Sequence, residues 1–507
     1  MFLKRFAVLA TGALLALPAI AQYKDTAPQP EEGKVVLTLD DALKIALSEN
    51  TSVKVADMEI ERQEYARKGS YASLLPQVSA SGMYSYALKK QKVYFGSDKT
   101  DEESGSSSGG GMAGMMASMM NPIYYYIEQL YAGTGVPYVP YVDPNQSQEG
   151  GSSSSSEPME MGRTHSVTLG LSAQMPIVNF QLWESLRLSG DQVELAVEQA
   201  RESRLGTVAS VKQAFYAILF AKEAYNVYNS VYENAVENYR LTEMRYNAAR
   251  ASELDLTRAK SNVAAAIPNL YNAENSVELA LWQLKAVMGV DLERNIDVAG
   301  SLEEYAGQMF SDIAEGDAAT LEGNTTLRQL EQQAEMMARQ IRMQQYAYLP
   351  TLSLTFSYSY LTQSDIFNLS QWKWFPSSTV GLSLSIPIFS GGQRYHAIKQ
   401  TRVQADELEL QRENTERQLR IGIRQSLGTM DTAMRTYDAS KEALVSAEKA
   451  YDIAVKSYQL GKSTLTDLNN TELVLTQSKL AVSQAIYNFV IAKAGLEQTL
   501  GYDFNER

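Results

Sequence analysis

The chain carries the same scaffold twice. Residues Asn50 to Tyr86 align without a gap onto Asn324 to Tyr360, so that Leu75-Pro76 falls on Leu349-Pro350, 274 positions later. Tyr246 to Asp291 falls on Tyr458 to Asp503, 212 positions later, and Val167 to Pro176 falls on Ser378 to Pro387, 211 later. The difference between 274 and 211 leaves about 63 additional residues in one loop of the first copy. Each copy reads as short amphipathic strands feeding a very long helix, and a fold must accommodate two such units.

Four segments alternate with the period of a strand. In Pro76 to Tyr86, Val78, Ala80, Gly82, Tyr84 and Tyr86 share a face opposed to Gln77, Ser79, Ser81 and Ser85. In Pro350 to Tyr360, Leu352, Leu354, Phe356, Tyr358 and Tyr360 oppose Thr and Ser. The returning strands set Val167, Leu169, Leu171, Ala173 and Met175, and later Val380, Leu382, Leu384 and Ile386, against Thr, Ser, Gly and Gln. A soluble sandwich with one wet face would show the same alternation. Two features point instead to a bilayer. Each strand runs about ten residues, the length that crosses when tilted, and aromatic residues gather at the ends: Tyr84, Tyr86, Tyr358, Tyr360, Trp372, Trp374 and Phe375. Beyond an N-terminal leader no run suits a membrane helix, which leaves a barrel. Four strands cannot close one. Two chains would give eight strands around a filled interior, and three would give twelve and begin to leave a lumen; the small Ser/Thr face suits water and favours three.

The predicted helices are long. No proline interrupts Phe180 to Arg250, and none follows Ile388. About 70 residues at ~1.5 Å each reach roughly 100 Å. Tyr225, Tyr232, Tyr239 and Tyr246 recur every seven residues, followed at the second heptad position by Tyr228, Ala235, Thr242 and Ala249. In the second copy Tyr437, Leu444, Tyr451 and Tyr458 are bulky, and Ser440, Ala447, Ala454 and Gly461 are small. Large against small at heptad spacing is coiled-coil packing, and the stripe is read as packing except at the last tyrosine of each series. There, Ser252-Glu253-Leu254-Asp255 and Thr464-Leu465-Thr466-Asp467 are capping boxes that start returning helices. Gly289 and Gly501 stand where those helices would stop.

The leader, 1–21, reads as an export signal: Lys4 and Arg5 precede an apolar run from Phe6 to Ile20, with Ala19-Ile20-Ala21 as the cleavage site. The formal charge of −14 becomes −16 once Lys4 and Arg5 leave, which argues against nucleic acid or an anionic membrane surface as partner. Cysteine is absent, so neither disulfides nor a cysteine-linked lipid anchor can hold the protein. With only His165 and His396, no phosphate-cradling loop and no paired nucleophile and base, an enzyme is not expected, nor a cofactor or resident metal. The insertion 89–165 holds GSSSGGG, then Met112, Met115, Met116, Met119 and Met120, then the tyrosine-rich Tyr124 to Tyr141. Its position between an outgoing and a returning strand predicts the cell surface. The thioethers suit soft metals, although a partly ordered cap or a plain loop accounts for the composition as well.

Leader, strand pairs, helical hairpins and tandem duplication together resemble the TolC family of outer-membrane efflux proteins. The marks are LTLDDALKIALSEN at Leu37 to Asn50, the two Leu-Pro strand starts, PIFSGG at Pro387 to Gly392, and SYQLGKSTLTDL at Ser457 to Leu468. Val178-Asn179-Phe180 departs from PIFSGG, and Ala249 stands where the second tip has Gly461. The resemblance implies a mixed α and transmembrane β fold. Four strands per chain enter a trimeric twelve-stranded outer-membrane β-barrel, continued by a long periplasmic helical coiled-coil barrel.

On that reading the chain divides into signal peptide 1–21, linker 22–36, a first repeat 37–292, an equatorial connector 293–320 and a second repeat 321–507. The first repeat has strands near 75–87 and 166–177 and helices near 180–250 and 253–289; the second has strands near 349–361 and 378–388 and helices near 392–461 and 465–500. The implied function is a passive exit duct for a tripartite efflux pump or type I secretion system. Its implied partners are its own copies in a homotrimer, outer-membrane lipid, a periplasmic adaptor (membrane fusion) protein and an inner-membrane RND or ABC transporter. A periplasmic coiled-coil spacer without a pore is the alternative.

The resemblance also implies site residues. Asp467, its first-copy counterpart Asp255, Tyr458, Tyr246, Lys462 and Arg250 would form the constriction at the periplasmic tip, although both aspartates sit in capping boxes and a purely structural role is open. Ala249, Gly461, Ser252 and Thr464 would meet the adaptor. Asn470 and Arg258 stand where a second acidic residue often lies, so strong block by trivalent cations is not expected. Tyr84, Tyr86, Tyr358, Tyr360, Trp372 and Trp374 would lie at the membrane interface.

Overall fold

The computed structural model describes residues 35–93, 159–309 and 321–502. The predicted signal peptide, most of the linker, the middle of the insertion with its methionines, and the end of the connector lie outside the described residues. In chain order the elements are β1 (Val35–Leu37), α1 (Leu39–Glu49), α2 (Thr51–Ala72), β2 (Gln77–Tyr86), β3 (Gln91–Val93), β4 (Met159–Met161), β5 (His165–Val178), α3 (Phe180–Asn247) and α4 (Glu253–Met288). There follow β6 (Ile296–Val298), α5 (Thr325–Tyr346), β7 (Thr351–Ser364), β8 (Phe375–Ser385), α6 (Gln393–Gln459) and α7 (Leu465–Leu500). Two compact units result, one helical and one built on strands.

In the helical unit α3 has 68 residues and α6 has 67, each about 100 Å at ~1.5 Å per residue. Helix α4 packs along α3 and α7 along α6, and α7 also lies against α3. Proline is expected to break a helix interior, yet Pro268 stands within α4 and the helix continues to Met288. The largest core gathers Phe215, Ile218, Leu284, Met288, Met430 and Phe489. Beside it β1 pairs in parallel with β6, Val35 opposite Ile296 and Leu37 opposite Val298. Nothing in the sequence pattern predicts this ribbon.

The duplication has a structural joint. Asn50 caps α2, its Oδ1 accepting from the amides of Ser52 and Val53, while its Nδ2 donates to the Val287 carbonyl in the last turn of α4 at 2.6 Å. Asn324, its repeat, caps α5 through the Leu327 amide and donates to the Thr499 carbonyl of α7 at 2.7 Å. One asparagine thus satisfies orphan groups at two helix ends. Gly501 must be small here: its φ is +76°, and a Cβ would stand 2.0 Å from the Gly323 oxygen. Between α3 and α5, buried Glu184 and Asp191 are held by Arg339 and Arg342, the Arg342 Nε lying 3.0 Å from Glu184.

The strand unit holds a four-stranded sheet in the order β2-β5-β7-β8. Strand β2 is antiparallel to β5, from Gln77 opposite Gln174 to Tyr86 opposite His165. The second pair brings one set of corresponding residues together. Ser81 faces Gly170 in the first copy, and at the corresponding positions the Thr355 hydroxyl donates to the Gly381 carbonyl at 3.2 Å. Strands β2 and β8 are the edges, each paired on one side only. All ten β2 positions are exposed, and Val380 and Leu382 on β8 are about two-thirds exposed or more, at 70% and 68%. Strand β8 runs 375–385 rather than the predicted 378–388, stopping before Pro387, which has no N–H to give a ladder. No helix among the described residues is long and apolar enough to cross a membrane.

Candidate functional site

Each long helix ends in the same bonds. The Ala249 amide donates to the Tyr246 carbonyl at 2.9 Å and Arg250 to Arg245 at 2.7 Å; Gly461 donates to Tyr458 at 2.9 Å and Lys462 to Ser457 at 2.8 Å. These paired bonds satisfy the last orphan carbonyls and need a left-handed residue at the turn. Gly461 supplies it at φ 71°, and Ala249 adopts φ 51° in the first copy, where an L-residue pays about 1 kcal/mol or more.

The returning helices start on reciprocal caps. The Asp255 amide donates to Ser252 Oγ at 3.1 Å, and Ser252 Oγ returns a bond to Asp255 Oδ2 at 2.7 Å. In the second tip the Asp467 amide donates to Thr464 Oγ1 at 3.1 Å, while Asp467 Oδ2 accepts from that hydroxyl at 2.6 Å and from the Thr464 amide at 3.1 Å. The Thr464 hydroxyl, then its amide, hold the Asp467 carboxyl below its ordinary pKa, so the carboxylate keeps its charge at neutral pH. In both boxes the capping bonds go to Oδ2. Asp467, Ser252, Thr464, Ala249, Gly461, Lys462 and Arg250 are all exposed, and Asp255 is half-buried.

Tyr458 is buried, and two hydrogen bonds and a cation–π contact tie it to α3. Its hydroxyl lies 2.6 Å from Thr242 Oγ1, which itself donates to the Asn238 carbonyl at 2.7 Å. A threonine hydroxyl has one proton, so Tyr458 is the donor of the shared bond. The Arg245 guanidinium lies 4.7 Å from the Tyr458 ring centre and donates to the carbonyls of Tyr458 and Gln459 at 2.6 and 2.7 Å. A cation here caps the end of α6 and its partial negative charge. Ala259, Ala454, Leu465 and Leu468 close a small apolar cluster around the ring.

The two tips are not equivalent. Tyr246, the repeat of Tyr458, is 39% exposed. Arg245 and Thr242 correspond to Ser457 and Ala454 in the second copy, so the side chains that hold Tyr458 are not repeated for Tyr246. Arg245 did not stand out in the sequence. Its one signal is a basic residue in the last turn of a helix, common in any sequence. Glu472 was missed as well: it is a buried carboxyl on α7 that faces Asn234 of α3 and Tyr451 of α6.

The interface aromatics fall in the strand unit in two groups. The Tyr84 hydroxyl lies 2.9 Å from His165 Nδ1, and His165 also meets Tyr86 and Phe367, which packs edge-on against Trp372. Tyr358 donates to the Tyr360 hydroxyl at 2.8 Å, and Tyr360 meets Trp374. Beside them Asp365, not singled out in the sequence, accepts from Lys90 at 2.7 Å, from Arg163, and from the Thr164 amide at 3.1 Å. Among the described residues no group of three or more His, Cys, Asp or Glu could hold a metal ion.

A family model described as outer membrane efflux protein matches residues 134–290 and 318–502. Outer membrane protein TolC of Escherichia coli (strain K12) is 23% identical over 352 residues, covering 67% of this chain and 70% of that protein. Alkaline protease secretion protein AprF of Pseudomonas aeruginosa is 23% identical over 331 residues, 64% of this chain and 68% of AprF. Among solved structures, the CmeC outer membrane channel of Campylobacter jejuni superposes with a TM-score of 0.63 at 18% identity, covering 91% of this chain and 85% of CmeC. The open state of the Neisseria gonorrhoeae MtrE outer membrane channel gives 0.61 at 16% identity, covering 91% and 88%.

Proposed function

The chain belongs to the outer membrane efflux protein family, and from that premise we propose that three copies build one passive duct from the periplasm to the exterior. The protein is an outer-membrane channel of the TolC-like fold, not an enzyme, and it works with periplasmic and inner-membrane components of an export system. The observation that carries the reading is the four-stranded sheet with two open edges. Unpaired backbone groups in hydrocarbon cost about several kcal/mol each, so a lone sheet cannot face lipid. Edge β2 of one copy meets edge β8 of the next, and three copies give twelve strands around a lumen.

In this reading the long helices carry the duct through the periplasm, and the tips are its gate. The tie from Tyr458 to Thr242 and Arg245 holds the hairpins together. Asp467 and Asp255 cap their helices through Oδ2, and their charge, repeated about the duct axis, favours cations at the constriction. Tyr246, Lys462 and Arg250 line the same mouth, and Ala249, Gly461, Ser252 and Thr464 present the small surface that an adaptor hairpin meets. An RND or ABC transporter supplies substrate and energy. Reconstitution in planar bilayers tests the gate. Arg245→Ala is expected to raise the open fraction severalfold, and unchanged conductance would remove the Tyr458 tie from gating.

A further inference from the structure

Among the described residues, four charged side chains are almost fully buried: Glu184, Asp191, Lys285 and Glu472. The first two face Arg339 and Arg342, and Lys285 donates to the Leu292 carbonyl. Glu472 is different, because it is 8% exposed and no basic side chain among the described residues lies within ion-pair reach. Its carboxyl faces Asn234 on α3 and Tyr451 on α6, while Oε1 is buried without a partner. The adjoining cavity, about 240 Å³, presents Tyr228 and Asn238 from α3, Asn262 and Asn269 from α4, and Asn469 from α7. Among the described residues of the cavity lining and of its contacts, the titratable groups facing Glu472 are Tyr451 and Tyr228, neither of them cationic.

We propose that Glu472 is a proton-linked clasp between the two helical hairpins, a positioning residue that binds a proton while the hairpins are together and releases it when they part. This rests on the reading that parting the hairpins opens the duct. Glu472 sits on the α6–α7 hairpin and Asn234 on the α3–α4 hairpin, so separation parts this contact across the gate and admits water to the carboxyl. Along α6 the clasp lies seven residues, about 10 Å, from the Tyr458 tie. An anion at this place would have no counter-charge, whereas the neutral acid loses little by burial. The first copy has no equivalent clasp, since Lys260 and Ser446 correspond to Glu472 and Asn234.

Burial pushes the Glu472 pKa up, and the contacts with Asn234 and Tyr451 pull part of the way back. In the parted state water returns the carboxyl to the ordinary glutamate range. Stabilisation by the clasp is then fully present below that ordinary value and is lost as pH rises through the raised one. Between the two, the opening equilibrium rises up to about tenfold per pH unit per copy. Acidification holds the duct shut.

The test is conductance of the reconstituted full chain between about pH 4.5 and 8. Wild type is expected to show an opening step above the ordinary carboxyl range. Glu472→Gln is expected to remove that step. Tyr451→Phe takes away a donor that favours the anion, so the step is expected at higher pH. A Glu472→Gln channel that keeps the wild-type step would overturn the proposal; if that variant does not insert, an unmoved midpoint in Tyr451→Phe overturns it equally. Arg245→Ala separates the two levels. If Arg245→Ala does not leak, the tip-gate reading fails; if it leaks while Glu472→Gln keeps the step, the clasp alone fails.

Discussion

Alanine at Gly501 and at Gly461 separates two demands that a glycine can serve. Both have a left-handed backbone, at φ +76° and +71°, but a Cβ on Gly501 would meet the Gly323 oxygen at 2.0 Å, and one on Gly461 would meet nothing within 4 Å. The left-handed conformation costs an L-residue about 1–2 kcal/mol, and the two sites share that cost. Only Gly501 adds a collision of backbone with backbone, which no side-chain rotation relieves. Pushing the start of α5 away overpacks the joint by about 1–3 kcal/mol. It also breaks the bond from Asn324 to Thr499, worth about 1 kcal/mol. The expected costs are about 1–2 kcal/mol for Gly461→Ala and about 3–6 kcal/mol for Gly501→Ala. Amide hydrogen exchange in detergent, resolved by peptide, reads each site locally. Exchange is expected to quicken about five- to thirtyfold at the tip and more than about a hundredfold in the last turn of α7. Equal acceleration at both sites would refute the reasoning, because the close approach at the joint would then carry no energy.

Ala249→Gly should stabilise the first tip by about 1 kcal/mol, since the residue already occupies a glycine conformation; exchange at Tyr246 to Arg250 no slower than in wild type would contradict this. Tyr458→Phe removes the donor to Thr242, leaves the hydroxyl of Thr242 without that bond, and is expected to make the channel leakier, read as higher conductance and antibiotic sensitivity. Asp467→Ala should lower cation preference, seen as a shifted reversal potential in a salt gradient, and should also weaken the start of α7 by about 1 kcal/mol; an unshifted potential would leave the residue only its capping role. Arg342→Ala strips one of three guanidinium partners from buried Glu184, with Arg187 and Arg339 remaining, and is expected to cost about 1–2 kcal/mol, with loss of folded protein in the membrane as the readout.

What could be read in the sequence was what local geometry decides. Alternation over ten residues is visible because each side chain points opposite to the last, and a capping box is visible because all its bonds fall within Ser252 to Asp255 or Thr464 to Asp467. The repeat alignment placed Asn50 on Asn324, although the double duty of each asparagine appears only once α4 and α7 arrive beside them. Three residues show no period, so β1 and its partner β6, some 260 positions away, carried no signal. Arg245 and Glu472 were hidden for a related reason. Their partners, Tyr458 and Asn234, lie more than 200 positions away, and partner choice across a helical interface leaves no trace in spacing. The duplication also misled in one respect, for it suggested equal roles for Tyr246 and Tyr458, whereas the partners of Tyr458 are not themselves repeated.

The open edges of the sheet offer the most direct measurement. The chain has no cysteine, so introduced thiols report unambiguously. Ser81→Cys on β2 would be combined in turn with Thr379→Cys, Gly381→Cys and Ser383→Cys on β8, all on the small-residue face, and the membranes oxidised. One of these pairings is expected to give disulfides only between copies, in a ladder that ends at three chains. A disulfide closed within one chain, or a water-soluble monomer that links with none of them, would contradict the shared barrel.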